Sequence, residues 1–155
     1  AIISSVSSTT YSCDGNSVVN AGSSATYVSF CFVEKQGYSK FGTYTGNASA
    51  DGPFVYTGFK PAFVICKKSS SPGDWELYDN KRNGFNGTTT NGGNVRVYPN
   101  ANDAEGGTGR LSLLSNSFKI TTSSGNLNGS GNSFIYMAFA ENPLVGSNFV
   151  PTTAR

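Results

Sequence analysis

Apolar residues in this chain recur at every second position, in short runs, and Gly, Asn, Pro and Asp cut the runs apart. Residues 26–34 are typical. Val28, Phe30 and Phe32 face one way, and Tyr27, Ser29, Cys31 and Val33 face the other. Period two is the spacing of a half-buried strand. No stretch sustains a 3.6-residue period or a heptad, so helices are excluded as the main building element. Further strands are predicted at Phe41–Tyr44, Phe54–Thr57, Ala62–Cys66, Trp75–Asp79, Val95–Tyr98, Leu111–Leu114, Phe118–Thr122 and Phe134–Glu141. Ala62–Cys66 is continuously apolar, as a central strand covered on both faces would be. It forms a hairpin with Trp75–Asp79 across a loop holding Pro72 and Gly73. Asp103–Glu105 is expected to form one helical turn capped by Asn102. Ser123–Asn132 reads as a tight connection.

Short, regularly spaced strands joined by turns predict an all-β fold, a two-sheet antiparallel jelly-roll β-sandwich, with a closed barrel as the alternative. Its alternating Phe, Val, Ile, Leu and Tyr positions supply a core without disulfides, at about 25 cal/mol per Å² of apolar area buried. The sandwich module is placed at 37–142. Residues 1–36 form an extended N-terminal segment or the end of a preceding repeat, and 143–155 an extended C-terminal tail. The repeat reading rests on one likeness: Thr26–Glu34 reappears in altered form as Ser133–Glu141, both alternating around Phe and closing on Glu. Internal self-similarity points to repeated modules, and two strands alike by chance is the alternative.

Chemistry is sparse. The net charge is only +2 and the basic residues are scattered, which argues against nucleic-acid binding. No run approaches the roughly 20 apolar residues of a membrane span. A start at Ala1–Ile2–Ile3, without Met, predicts a processed product, a fragment, or loss of the initiator Met. Cys13, Cys31 and Cys66 cannot all pair within the chain, and they are expected as reduced thiols of a protein made in a cytosol. The lack of His and of Cys-x-x-Cys argues against a zinc site. Without His the usual general base is missing too. Two carboxylate pairs remain for glycoside hydrolysis. Glu76 and Asp79 lie three apart, on opposite sides of a strand. Asp103 and Glu105 sit in a Gly-rich loop. Both pairs read as solvated or turn-forming, so the chain is expected to be a non-enzyme without a cofactor. Asn100, Asn102, Asp103 and Glu105 offer oxygen ligands for calcium, but their spacing does not match an EF-hand loop. Asx-turns and a helix cap are the competing reading. Asn47–Ala48–Ser49, Asn86–Gly87–Thr88 and Asn128–Gly129–Ser130 match the glycosylation triplet, as chance allows in an Asn- and Ser-rich chain.

Loop and strand-end aromatics among amides suit a sugar, whose apolar face stacks on a ring while polar groups read its hydroxyls. Phe85 lies in the long polar loop Asn80–Asn94, where Asn80, Asn83, Asn86 and Asn91 supply polar groups around it. Tyr38, Tyr78 and Tyr98 are further candidates. For Tyr78 and Tyr98, burial in the sheet core or a subunit interface is the alternative.

Several runs resemble a module of bacteriophage tail-fibre and related virion proteins. They are Gly37–Asn47, Asp51–Val64, Trp75–Arg82, Leu113–Lys119, Asn128–Gly131 and Tyr136–Glu141. That module is similar in outline to concanavalin-A-like and laminin-G-like sandwiches. The resemblance implies a protein of the virion surface, assembled in bacterial cytoplasm. It implies other virion proteins as partners, a homotrimer, and contact with host surface polysaccharide. An architectural role, as capsid decoration or fibre spacer, is the alternative reading, and a polysaccharide depolymerase a weaker one. Scaffold residues carry the likeness, so it speaks to fold more than to ligand.

Overall fold

The computed structural model of the chain describes residues 3–15, 20, 25–82, 95–106, 109–145 and 151–152, with the backbone alone at 144–145 and 151–152. The chain divides into two compact units, Ala1–Phe32 and Val33–Arg155. It is all-β, with several antiparallel sheets.

In the first unit β1 (Ile3–Val6) pairs with β2 (Tyr11–Cys13). The turn is set by Ser7, whose Oγ accepts the amides of Thr10 at 2.9 Å and Thr9 at 3.3 Å. Such hydroxyl turns replace backbone partners at a reversal. The N-terminal segment thus contains a hairpin that its weak patterning did not announce. The strand expected at 26–34 is not there. Residues 25–34 carry no ladder, and Val28 and Phe30 are about four-fifths exposed. Alternation makes a strand only where a neighbouring strand satisfies its N–H and C=O groups.

In the second unit five strands form one sheet in the order β3-β10-β5-β6-β7. They are β3 (Ser39–Thr45), β10 (Ser133–Ala140), β5 (Pro61–Lys68), β6 (Trp75–Asp79) and β7 (Arg96–Val97). Three more form a second sheet in the order β4-β9-β8: β4 (Phe54–Tyr56), β9 (Ser117–Ile120) and β8 (Leu111–Leu113). The predicted hairpin of β5 with β6 is present, with Ile65 opposite Leu77. At the C-terminal end β11 (Leu144–Val145) pairs with β12 (Pro151–Thr152), where only an extended tail was expected.

Both sheets contribute to one buried cluster. Val64, Tyr78, Phe134 and Ala138 come from the five-stranded sheet, and Leu111, Leu113, Phe118 and Ile120 from the other, all fully buried. Tyr44 stacks on Phe134 with ring centroids 4.9 Å apart. The alternate residues of the large sheet face away from this cluster. Registers align Phe41, Met137, Ile65 and Leu77 in a row across four strands, with Ile135 and Trp75 beside it. Trp75 and Ile135 are 37% and 40% exposed. β5 is the middle strand, as its apolar run implied, but only one of its faces is fully covered.

The connection after β9 holds a single helical turn, α1 (Gly125–Asn128), in place of the plain turn expected there. No helical turn forms at 103–105. Asn128 is fully buried and ties this connection to the loop after β3. Its Oδ1 accepts the Asn47 amide at 2.8 Å, and its Nδ2 donates to Ser49 O at 2.8 Å and Thr122 O at 2.7 Å. A glycosylation triplet built on an amide so engaged cannot accept a sugar in the folded chain.

Candidate functional site

One end of the second unit carries a groove of about 400 Å³. Four segments meet there: the turn before β3 at Gly37, the β4–β5 connection, the β8–β9 turn and the exit of β10. They contribute Tyr56, Lys60, Ser115, Asn116, Glu141 and Asn142. β4 is an edge strand whose Val55 points to the core, so Phe54 and Tyr56 point outward. Tyr56 is 62% exposed. Gly58 beside it adopts φ +82°, a region that costs a glycine little, and its missing side chain leaves the Tyr56 ring flanked by backbone. The carbonyl of Asn116 accepts the amides of Thr57 at 2.9 Å and Gly58 at 3.0 Å. That clamp fixes the β4–β5 connection against the β8–β9 turn and leaves the Asn116 side chain exposed.

The charged part of the groove is an ion pair. Lys60 Nζ lies 2.6 Å from Glu141 Oε2. The other oxygen, Glu141 Oε1, accepts Asn80 Nδ2 at 2.8 Å, and the Glu141 amide donates to Lys60 O at 2.9 Å. A carboxylate held this way is oriented at both oxygens yet partly open to water. An open aromatic ring, exposed amides and hydroxyls, and an oriented carboxylate can hold a small polar ligand with an apolar face.

Of the sequence-predicted residues, Tyr38, Tyr78 and Tyr98 do not line this groove. Phe85, Asn83, Asn86 and Asn91 lie outside the described residues. Tyr78 is fully buried on the core face of β6 and cannot stack on a ligand; the alternation of β6 turns it inward. Tyr38 is 42% exposed and packs edge-on against Phe139 at 6.1 Å. Tyr98 is half-buried, with the Arg96 guanidinium 4.8 Å above its ring. Of the candidate calcium ligands, Asn100 is spent on structure. It accepts the Trp75 amide at 2.9 Å and donates to Asp74 at 3.1 Å. Glu105 meets Arg82 at 3.2 Å, and Asn102 and Asp103 are exposed. Among the described residues no group of three acidic, Cys or His side chains is placed to hold a metal.

Glu76 is not solvated, as a surface carboxylate would be; it is fully buried. Its Oε1 accepts Arg110 Nη1 at 3.0 Å, its Oε2 accepts the Tyr78 hydroxyl, and Arg110 also donates to Ser124 Oγ at 3.1 Å. Burial, and then the charge of Glu76, push the Tyr78 phenol well above its ordinary range. Asp79 lies on the outer face and pairs with Arg82 at 2.7 Å. The two carboxylates therefore do not share a site.

Residues 2–143 match the family described as a domain of unknown function, DUF7483. The chain belongs to that family. No curated protein and no solved structure gives a match. The DUF7483 span covers every segment that builds the groove, from Gly37 to Asn142.

Proposed function

We propose that this DUF7483 chain is a non-enzymatic module of a phage virion surface, of tail-fibre type, that contacts host surface glycan during adsorption. Its fold is read as a two-sheet jelly-roll β-sandwich, the five-stranded sheet facing the three-stranded one across the shared cluster. The observation that carries the adhesion reading is the groove: an exposed Tyr56 ring beside the Asn116 and Asn142 amides and the oriented Glu141 carboxylate. Single-site affinity for a sugar is weak, and copies displayed together, as in a homotrimeric fibre, supply avidity. The test is a multivalent, fluorescent display of the chain on bacterial cells before and after their surface polysaccharide is stripped. Labelling that vanishes on stripping is expected. Labelling of no cell, or labelling indifferent to stripping, removes adhesion.

A second reading, an architectural protein of capsid or fibre, draws on a different observation. The outer face of the large sheet is apolar, with Phe41, Ile65, Trp75, Ile135 and Met137 lining a depression of about 290 Å³. Apolar surface of this kind is suited to contact with other virion proteins or further copies. Sedimentation separates the two readings: assembly that is lost on Trp75→Asp and Ile135→Asp, without any cell labelling, favours architecture.

A further inference from the structure

We infer that the groove takes a neutral pyranose bearing adjacent hydroxyls, as a unit of an uncharged polysaccharide, and rejects acidic sugars. The inference rests on the adhesion reading above and names its ligand class. Among the described residues that line the groove, Lys60 and Glu141 are the only charged ones, and they neutralise each other at 2.6 Å. A uronate or sialate carboxylate would need a cation. Lys60 is already taken, and releasing it would strip Glu141 of its partner while Asn80 still holds its other oxygen. An acidic sugar would therefore exchange one carboxylate partner of Lys60 for another, with no net gain in ion pairing.

A hydroxyl makes no such demand. It donates to a remaining lone pair of a Glu141 oxygen and accepts from Lys60 without breaking the pair, because each carboxylate oxygen accepts more than one donor. Adjacent hydroxyls on a ring can reach the carboxylate and an amide together. The Ser115 hydroxyl and the Asn116 and Asn142 amides, exposed around the pair, both donate and accept, which suits neutral hydroxyls and acetal oxygens. Tyr56 supplies the flat apolar surface for the C–H face of the ring. At about 400 Å³ the groove lies toward the small end of ligand sites, which run roughly 300–1,000 Å³, so it suits a short stretch of polymer.

The experiment uses the full chain, displayed as a tetramer on streptavidin, against immobilised neutral polymers (dextran, mannan, galactan) and acidic ones (polygalacturonate, hyaluronate, polysialate). Retention on at least one neutral polymer and none on the acidic set is expected. Tyr56→Ala weakens it by roughly tenfold or more, and Tyr56→Trp keeps it, since a ring is what the site requires. Both variants change an exposed side chain, and unchanged thermal unfolding confirms that they fold. Retention confined to acidic polymers and lost on Lys60→Met overturns the neutral-sugar inference while adhesion stands. Neutral-polymer retention that Tyr56→Ala leaves intact overturns the groove as its site. Retention on neither class, with cells still labelled, overturns the ligand class alone; with cells also unlabelled, it takes the adhesion reading with it.

Discussion

Two places in this molecule assemble the same three chemistries, a Tyr, a Glu and a cation. In one, Tyr78, Glu76 and Arg110 meet in the core, with the Tyr and the Glu fully buried. In the other, Tyr56, Glu141 and Lys60 share a groove open to solvent, with the Lys60 side chain 40% and the Glu141 side chain 22% exposed. Burial decides what each is for. In the first set both Glu76 oxygens, the Tyr78 hydroxyl and Arg110 Nη1 are used by the protein itself. Open to water, the second set keeps hydrogen-bonding capacity for a visitor. Residue type alone does not mark a binding site; unspent capacity at an accessible position does.

The comparison breaks most readily at the buried set. Glu76→Ala leaves Arg110 and the Tyr78 hydroxyl without their acceptor inside the core. The expected loss is about 3–5 kcal/mol, read from urea midpoints. A loss below about 1 kcal/mol would mean that water reaches the pair and that the two sets do not differ as described. Tyr78→Phe keeps the ring and removes one donor to a carboxylate, so a loss of about 1.5–3 kcal/mol is expected. At the open set the order reverses. Lys60→Met changes stability by no more than about 1 kcal/mol, as for other exposed pairs, while it alters retention on polysaccharide.

Thiol reactivity sharpens the same contrast. Burial pushes the Cys66 thiol up, against the hydrogen bond with Tyr44 that lowers it, so it stays protonated and shielded. Iodoacetamide is expected to modify the exposed Cys31 in the native chain and Cys66 only after unfolding. The smallest effect is a surface one. The hydrogen bond from Lys40 holds the Glu34 carboxyl below its usual range. Because the folded value is the lower one, the stabilisation is present above the unfolded value, near pH 4.3. It is lost as pH falls through the depressed folded value. Lys40→Met should shorten that acid tail slightly, and molar salt should erase the difference.

Much of the fold was legible because period-two alternation reports directly on sheets. The β5–β6 hairpin, β8, β9 and β10 fall where the pattern put them. The failures share a cause. Thr26–Glu34 and Ser133–Ala140 carry the same pattern, but β10 lies between β3 and β5 and gains a ladder on each side. Residues 26–34 gain none, and partners are not written in a segment's own sequence. At β6 the expectation of a solvated Glu76 fails. Glu76 and Tyr78 turn inward, and Arg110 arrives from a distant part of the chain to meet the Glu. The groove was invisible for the same reason. Phe54–Val55–Tyr56 is apolar at every position, so alternation cannot say which face is outer. Glu141 and Asn116 come together only when separate connections converge.

The most direct measurement is an NMR titration of the chain with short neutral oligosaccharides cut from dextran, mannan and galactan, followed on backbone and side-chain amides. This account predicts that shifts concentrate at Tyr56, Gly58, Asn116, Glu141 and Asn142, with Glu76 and Tyr78 unmoved. Shifts gathered instead around Tyr98 and Asn100, or on the outer face at Trp75 and Ile135, would contradict it, as would no shift at saturating sugar.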